Sequence, residues 1–305
     1  MGNITEKLVT MNERTNYKMM IERYNNAGQM VDELRARPIT DDSFEDKSKR
    51  SSYGSWEGVK TYEECLGYLN NGYQPVVDAL KDAVKPTING TGKRIGFKTD
   101  IVGCAPIVPL AIMNVPMNMT NQYIKPIKAK VIDVYYDVTC SSGTDSEDII
   151  DAGQKVLAEI LRLEQCGYKF NLYAVQTYSD SEGCDMLVVK IKSSNQPLDL
   201  KRMSYALTHT SFFRVLGFDW YSRTPKGTYR SCYGRNLASN FDYDQQRLEK
   251  FTKQLFGNNA VYISAMIMQK KTKQNRGTYI NAVLGSADKN IATDSKPNVG
   301  LKRIN

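Results

Sequence analysis

From Lys128 onward, β-type and helical segments alternate, and this alternation limits the chain to few architectures. AKVIDVYYDVT, rich in β-branched and aromatic residues, reads as a strand. The polar turn CSSGTDSED follows, and IIDAGQKVLAEILRLEQCG then has the apolar spacing of an amphipathic helix closed by Gly167. Next come YKFNLYAVQTYS and MLVVKIKS as strands, helices over about Leu198–Leu216 and Tyr243–Phe256, and the strand AVYISAMIM. Strands interleaved with helices predict an α/β fold, a doubly wound and mostly parallel sheet covered on both faces.

Upstream segments read differently. Residues 1–50 are polar, with helical spacing of Met20, Tyr24, Ala27, Val31 and Leu34, which predicts a helix over Asn12–Arg37 and then a charged linker. Residues 51–127 begin with a small helical unit. Thr61 is placed to cap a helix whose first turn carries Glu63 and Glu64, and Pro75 opens a second helix carrying Val76, Val77, Leu80 and Val84. Glycine, proline and asparagine are then so dense over 87–126 that this stretch is expected to be irregular, wrapping a neighbouring surface or lining a site. The α/β domain spans 128–285, and 286–305 reads as a flexible basic tail.

No apolar run approaches the roughly 18 residues that cross a bilayer, and the first thirty residues lack a signal-type apolar stretch. MGNITE misses the myristoylation pattern because Glu6 stands where a hydroxyl is needed. No membrane association is expected, and the compartment is cytoplasmic. Six dispersed cysteines and a single histidine, His209, give no zinc-ligand spacing, so free thiols are expected.

The formal net charge of +8 is concentrated. Between Lys201 and Arg235 seven Lys or Arg face the single acid Asp219, interleaved with aromatic rings. Cations that neutralise phosphates, with rings on which bases stack, are what holding a single strand requires. Some of those rings belong to a helix core: Met203, Ala206, Leu207, Phe213, Val215 and Leu216 share an apolar face. Arg214, Arg223, Lys226, Tyr229, Arg230, Tyr233 and Arg235 are the candidate contacts, and Lys270, Lys271, Lys273 and Arg276 form a second basic cluster after the last strand.

The turn after the first strand of the α/β domain places Asp137, Thr139 and Ser141 at alternate positions. There they either cap backbone N–H groups or hold a hard cation such as Mg²⁺, so the expected cofactor is none or that divalent ion. GTGKR over 90–94 lacks the glycine and hydroxyl of a phosphate loop. His209 has no nucleophile pattern around it, and no motif assigns an enzyme.

The Asp137-x-Thr139-x-Ser141 turn, between strand and helix, resembles the metal-adhesion motif of von Willebrand factor A-type domains, which implies a doubly wound sheet that commonly mediates binding. SWEGVKTYEECLGYLNNGY, VGCAPIVPLAIMNVPMNM, LAEILRLEQCGYKFNL and KIKSSNQPLDLKRMSYALTHTSFFRVLGF, in that order, resemble an uncharacterised protein family of tailed bacteriophages. That family tends to carry a basic pair where this chain has Phe213-Arg214, so only Arg214 carries over. The resemblance implies a phage protein acting in the host cytoplasm. The leading expectation is non-enzymatic nucleic-acid binding, single-stranded or of low specificity, in replication, recombination or transcription. The alternative is a protein-interaction module in virion assembly or in countering a host defence, with a phage or host protein as partner.

Overall fold

A computed structural model describes residues 2–12, 15–40, 46–83, 93–126, 130–224 and 235–286. The chain opens with β1 (Asn3–Asn12) and β2 (Thr15–Tyr24), an antiparallel pair, and then α1 (Ala27–Ala36). The helix expected over Asn12–Arg37 is therefore a strand followed by a shorter helix. Tyr17, Met19 and Ile21 are buried in one core and Tyr24 in the other, so both faces of β2 are covered. A strand buried on both sides loses its alternating pattern, and YKMMIERY consequently imitates helical spacing. The Asn26 side chain, accepting from the Gln29 N–H at 2.8 Å, sets where α1 starts.

The helical pair lies where the sequence predicts it, as α2 (Tyr62–Asn71) and α3 (Gln74–Ala83). Thr61 Oγ1 accepts from the Glu64 N–H at 3.2 Å, and Gly72 ends α2 at φ 78°. A side chain at Gly72 would also strike the Lys201 backbone, so both conformation and space require glycine there.

Of the stretch expected to be irregular, 87–92 lie outside the described residues and 93–126 are regular. They form a separate antiparallel sheet, order β3-β5-β4, from β3 (Lys93–Asp100), β4 (Ala105–Pro106) and β5 (Met119–Pro126), with the short α4 (Val108–Ile112) between the last two.

The α/β part comprises β6 (Val131–Asp137), α5 (Ser146–Gln165), β7 (Lys169–Ser179), β8 (Gly183–Lys192), α6 (Leu200–Thr208), a π-helical turn Phe212–Gly217, α7 (Phe218–Arg223), α8 (Gln245–Phe256), β9 (Ala260–Ile263) and α9 (Arg276–Gly285). The expected helix over Leu198–Leu216 is broken at His209, and the expected last strand stops at Ile263. Its six-stranded sheet has the order β1-β2-β8-β7-β6-β9. Three of the five pairings are parallel, so the sheet is mostly parallel, and the first two strands of the chain complete it.

One core holds Ile132, Val134 and Tyr136 of β6 against Val156, Leu157 and Ile160 of α5 and Trp220 of α7. The other holds Tyr135, Val175 and Met186 against Leu248, Phe251 and Leu255 of α8. Each such fully buried side chain contributes about 1.5–3 kcal/mol. Both faces of the sheet are thereby covered. No helix among the described residues is long and apolar enough to cross a membrane.

Candidate functional site

Three cations expected at a nucleic-acid surface are interior. Arg223, 5% exposed, donates to Asp219 at 2.8 Å and to Asp46 at 2.5 Å, tying α7 to the segment before α2. Arg276, fully buried, donates to Asp148 at 2.8 Å and Asp151 at 2.6 Å and so joins α9 to α5. Arg214 lies under the Trp56 ring with its guanidinium carbon 4.5 Å from the centroid, donating to the Trp56 carbonyl at 2.6 Å and the Thr144 carbonyl at 2.9 Å. Their contact with a phosphate is therefore excluded, and the expectation is corrected for all three. A buried ion pair exists only where the partner groups are supplied, and apart from Asp219, four residues before Arg223, the acids that supply them here stand far away in sequence.

The other candidates divide. Lys226, Tyr229, Arg230 and Tyr233 lie outside the described residues. Arg235 is exposed and donates to Ser239 Oγ at 3.1 Å. Lys270, Lys271 and Lys273 are exposed on one 3-10 turn, Lys270–Asn275. Lys271 Nζ sits 5.2 Å from the centroid of the Tyr243 ring, itself 39% exposed, while Lys273 approaches Asp148 at 3.8 Å.

The carboxyl end of β6 is closed. Asp137 is fully buried, its Oδ2 accepting from the Tyr262 hydroxyl at 2.6 Å and its Oδ1 from the Thr139 N–H at 2.9 Å. Burial pushes its carboxyl up to about 6, against the pull of those hydrogen bonds. Thr139 Oγ1 accepts from the Thr177 N–H at 2.7 Å, so Asp137 and Thr139 stitch β6, β7 and β9 together. Ser141 instead faces solvent and pairs with Thr144 at 3.2 Å. Asp137 and Thr139 are thus buried and engaged in hydrogen bonds while Ser141 faces water, so the three oxygens are not presented together to a cation such as Mg²⁺. No group of three His, Cys, Asp or Glu suited to a metal occurs among the described residues.

His209 has a more elaborate setting than a helix end alone implies. Its Nδ1 accepts from the Ser211 N–H at 3.2 Å, which places the ring proton of the neutral form on Nε2. Ser211 Oγ lies 2.8 Å from Nδ1 and 3.0 Å from the Tyr205 hydroxyl, and the rings of Tyr68 and Tyr73 flank the imidazole at 4.9 and 4.7 Å. Burial lowers its pKa to about 4. Cys65 beside them is also fully buried, and burial raises its thiol. Ser211 and Cys65 have no exposed surface, and His209 keeps 8% of its own. A cleft of about 520 Å³ opens nearby, lined by Glu64, Tyr68, Tyr73 and Gln74. Neither His209 nor Asp137 lines it.

The surface that sequence reading missed is the β3–β5 sheet. From Phe97 to Gln122 no side chain is buried. Phe97 (63%), Val102 (74%), Ile112 (77%) and Met113 (71%) stand in solvent, together with Ile101, Val108 and Met117. A signal for it was available: many apolar residues distributed among so many turn formers have no regular face on which to be buried. A three-stranded sheet needs a hydrophobic face packed against something to be stable. This one has the apolar residues and no buried side chain among the described residues 97–122.

Fold and surfaces together define a mixed α/β protein, built on a mostly parallel six-stranded sheet, that carries a small antiparallel sheet with no buried side chain from Phe97 to Gln122. A family model described as "Domain of unknown function (DUF7192)" matches residues 6–288, and the chain belongs to that family. Comparisons with curated proteins and with solved structures give no match.

Proposed function

We propose that this protein is a non-enzymatic protein-interaction module whose contact element is residues 93–126. The observation that carries this reading is the absence of any buried side chain over 97–122 in a segment that exposes seven large apolar residues. Apolar side chains left in water in such number along one short segment mark a surface that a partner covers. A doubly wound core like that of von Willebrand factor A-type domains, which commonly mediate binding, is compatible with the strand run β8-β7-β6-β9. The reading needs no cation. In the bacteriophage setting that the sequence resemblance implies, the module serves virion assembly or counters a host defence in the host cytoplasm.

The test is co-purification of the full chain from infected cells, comparing wild type with Ile112→Ser/Met113→Ser. The expected result is a stoichiometric partner lost in that variant and kept when Lys270, Lys271 and Lys273 are all changed to Ala. Retention of the partner by the serine variant overturns the reading.

One observation favours nucleic acid as a second reading. Lys271 stands against the exposed Tyr243 ring, beside Lys270 and Lys273, so cations and a stacking ring occur together at the surface.

A further inference from the structure

We propose that β3 pairs edge to edge with β3 of a second copy of this chain, so that two three-stranded sheets join across a twofold axis at Phe97. This rests on the reading of 93–126 as a contact element and names its partner.

β3 is an outer strand eight residues long, with no neighbour among the described residues on its far side. Which of its backbone groups face outward follows from β5. The Thr120 carbonyl accepts from Cys104 N–H and the Asn118 carbonyl from Ile107 N–H, so both residues turn their backbone groups away from β3. Successive strand residues alternate, and Met119, Asn121 and Tyr123 therefore face β3. Their partners Asp100, Lys98 and Gly96 turn inward to meet them. Ile95, Phe97 and Thr99 are left with N–H and C=O directed outward, an open template for another strand.

The sequence of β3 complements itself in one register. Two identical antiparallel strands about a twofold axis perpendicular to the sheet place residues of the same face opposite each other, so the paired numbers sum to an even value. A centre on Phe97 sets Phe97 against its own copy, Ile95 against Thr99, and Arg94 against Asp100, which also holds Lys98 of its own strand at 2.7 Å, on both sides of the axis. All outward N–H and C=O groups of Ile95, Phe97 and Thr99 then meet a partner. A centre on Gly96 sets Arg94 against Lys98, and one on Lys98 sets two lysines together. A centre on Thr99 overlaps only residues 98–100 of the strand, one on Ile95 only 93–97, leaving the outward groups of Thr99 without a partner, and one on Arg94 sets two arginines together. Like charges directly opposite are destabilising and opposite charges favourable, so the Phe97 register is selected. It also covers the Phe97 ring, now 63% exposed.

Sedimentation equilibrium of the purified full chain at micromolar concentration tests this, with twice the 34.5 kDa chain mass expected. Phe97→Pro removes an N–H that points away from β5, so the internal ladder survives while the new one is blocked. That variant should be monomeric with an unchanged circular dichroism spectrum. Arg94→Glu and Asp100→Arg should each be monomeric, because each sets like charges opposite. An equimolar mixture of those two variants should recover the dimer. In the mixed pair the glutamate introduced in one chain meets the arginine introduced in the other, and the unchanged Arg94 of the second meets the unchanged Asp100 of the first. A monomeric wild type, a dimer that persists in Phe97→Pro with the fold intact, or a mixture that stays monomeric overturns the proposal. If Phe97→Pro fails to fold, the mixture decides. A monomeric wild type whose other partner is still lost with Ile112→Ser/Met113→Ser overturns self-pairing alone and leaves the docking role standing.

Discussion

Two buried titrating groups pull the stability of this molecule in opposite directions with pH. His209 has its folded pKa lowered from 6.5 to about 4, so its contribution is present above 6.5 and is lost as pH falls toward 4. Asp137 has its folded pKa raised from 3.8 to about 6; its contribution is present below 3.8 and is lost as pH rises through 6. Each amounts to about 3 kcal/mol, since a tenfold change in proton affinity is worth about 1.36 kcal/mol. Over pH 4–6 they largely offset, so urea midpoints of the wild type should change little on their account. Asp137→Asn should remove the alkaline loss and His209→Gln the acid loss, giving slopes of opposite sign between pH 4.5 and 7. Equal slopes in the two variants would refute the assignment. Arg276 is a separate case, because it donates to two acids of α5 while fully buried. Arg276→Ala strands Asp148, 4% exposed, without that donor and should cost about 3–5 kcal/mol in a denaturant titration.

Close approach of two helices sets the tolerance of the core to added volume. A methyl on Gly153 of α5 would collide with the Leu207 carbonyl of α6, which is backbone and cannot rotate aside. Gly153→Ala should therefore separate α5 from α6 and lower stability by about 2–3 kcal/mol, read as a fall in the urea midpoint. Elements of this kind were legible where local chemistry decides them. Thr61 and Glu64 fixed α2, Gly257 closed α8, and the apolar period of α5 gave its length. β2 was illegible because its pairing with β8 lies about 165 residues away and a strand buried on both sides carries no period of two, and β1 is held in the sheet only through β2. The candidate site divides by the same cause. Arg235 and the lysines of 270–273 needed only local polarity to be placed outside. Arg214, Arg223 and Arg276 were drawn inside by the Trp56 ring, by Asp46 and by Asp148, partners that no local pattern reveals.

For the whole molecule, burial of those arginines changes what a net charge of +8 does. Charge neutralised inside the fold adds nothing to counterion release, whereas exposed lysines contribute in full. If the Lys270–Lys273 surface holds single-stranded nucleic acid, each phosphate it neutralises lowers the slope of log affinity against log salt by about 0.7. Removing Lys270, Lys271 and Lys273 together should then flatten that slope by about 2. Replacing Arg214, Arg223 or Arg276 should leave the slope unchanged in any variant that still folds, since none of the three reaches solvent. Tyr243→Ala separates stacking from charge: it should weaken binding by about 1–3 kcal/mol without altering the slope. Filter binding of a labelled single strand between about 50 and 200 mM salt measures both quantities. A slope that is indifferent to the three lysines but falls with Arg223 would mean that the Asp46–Arg223–Asp219 pairing opens in solution.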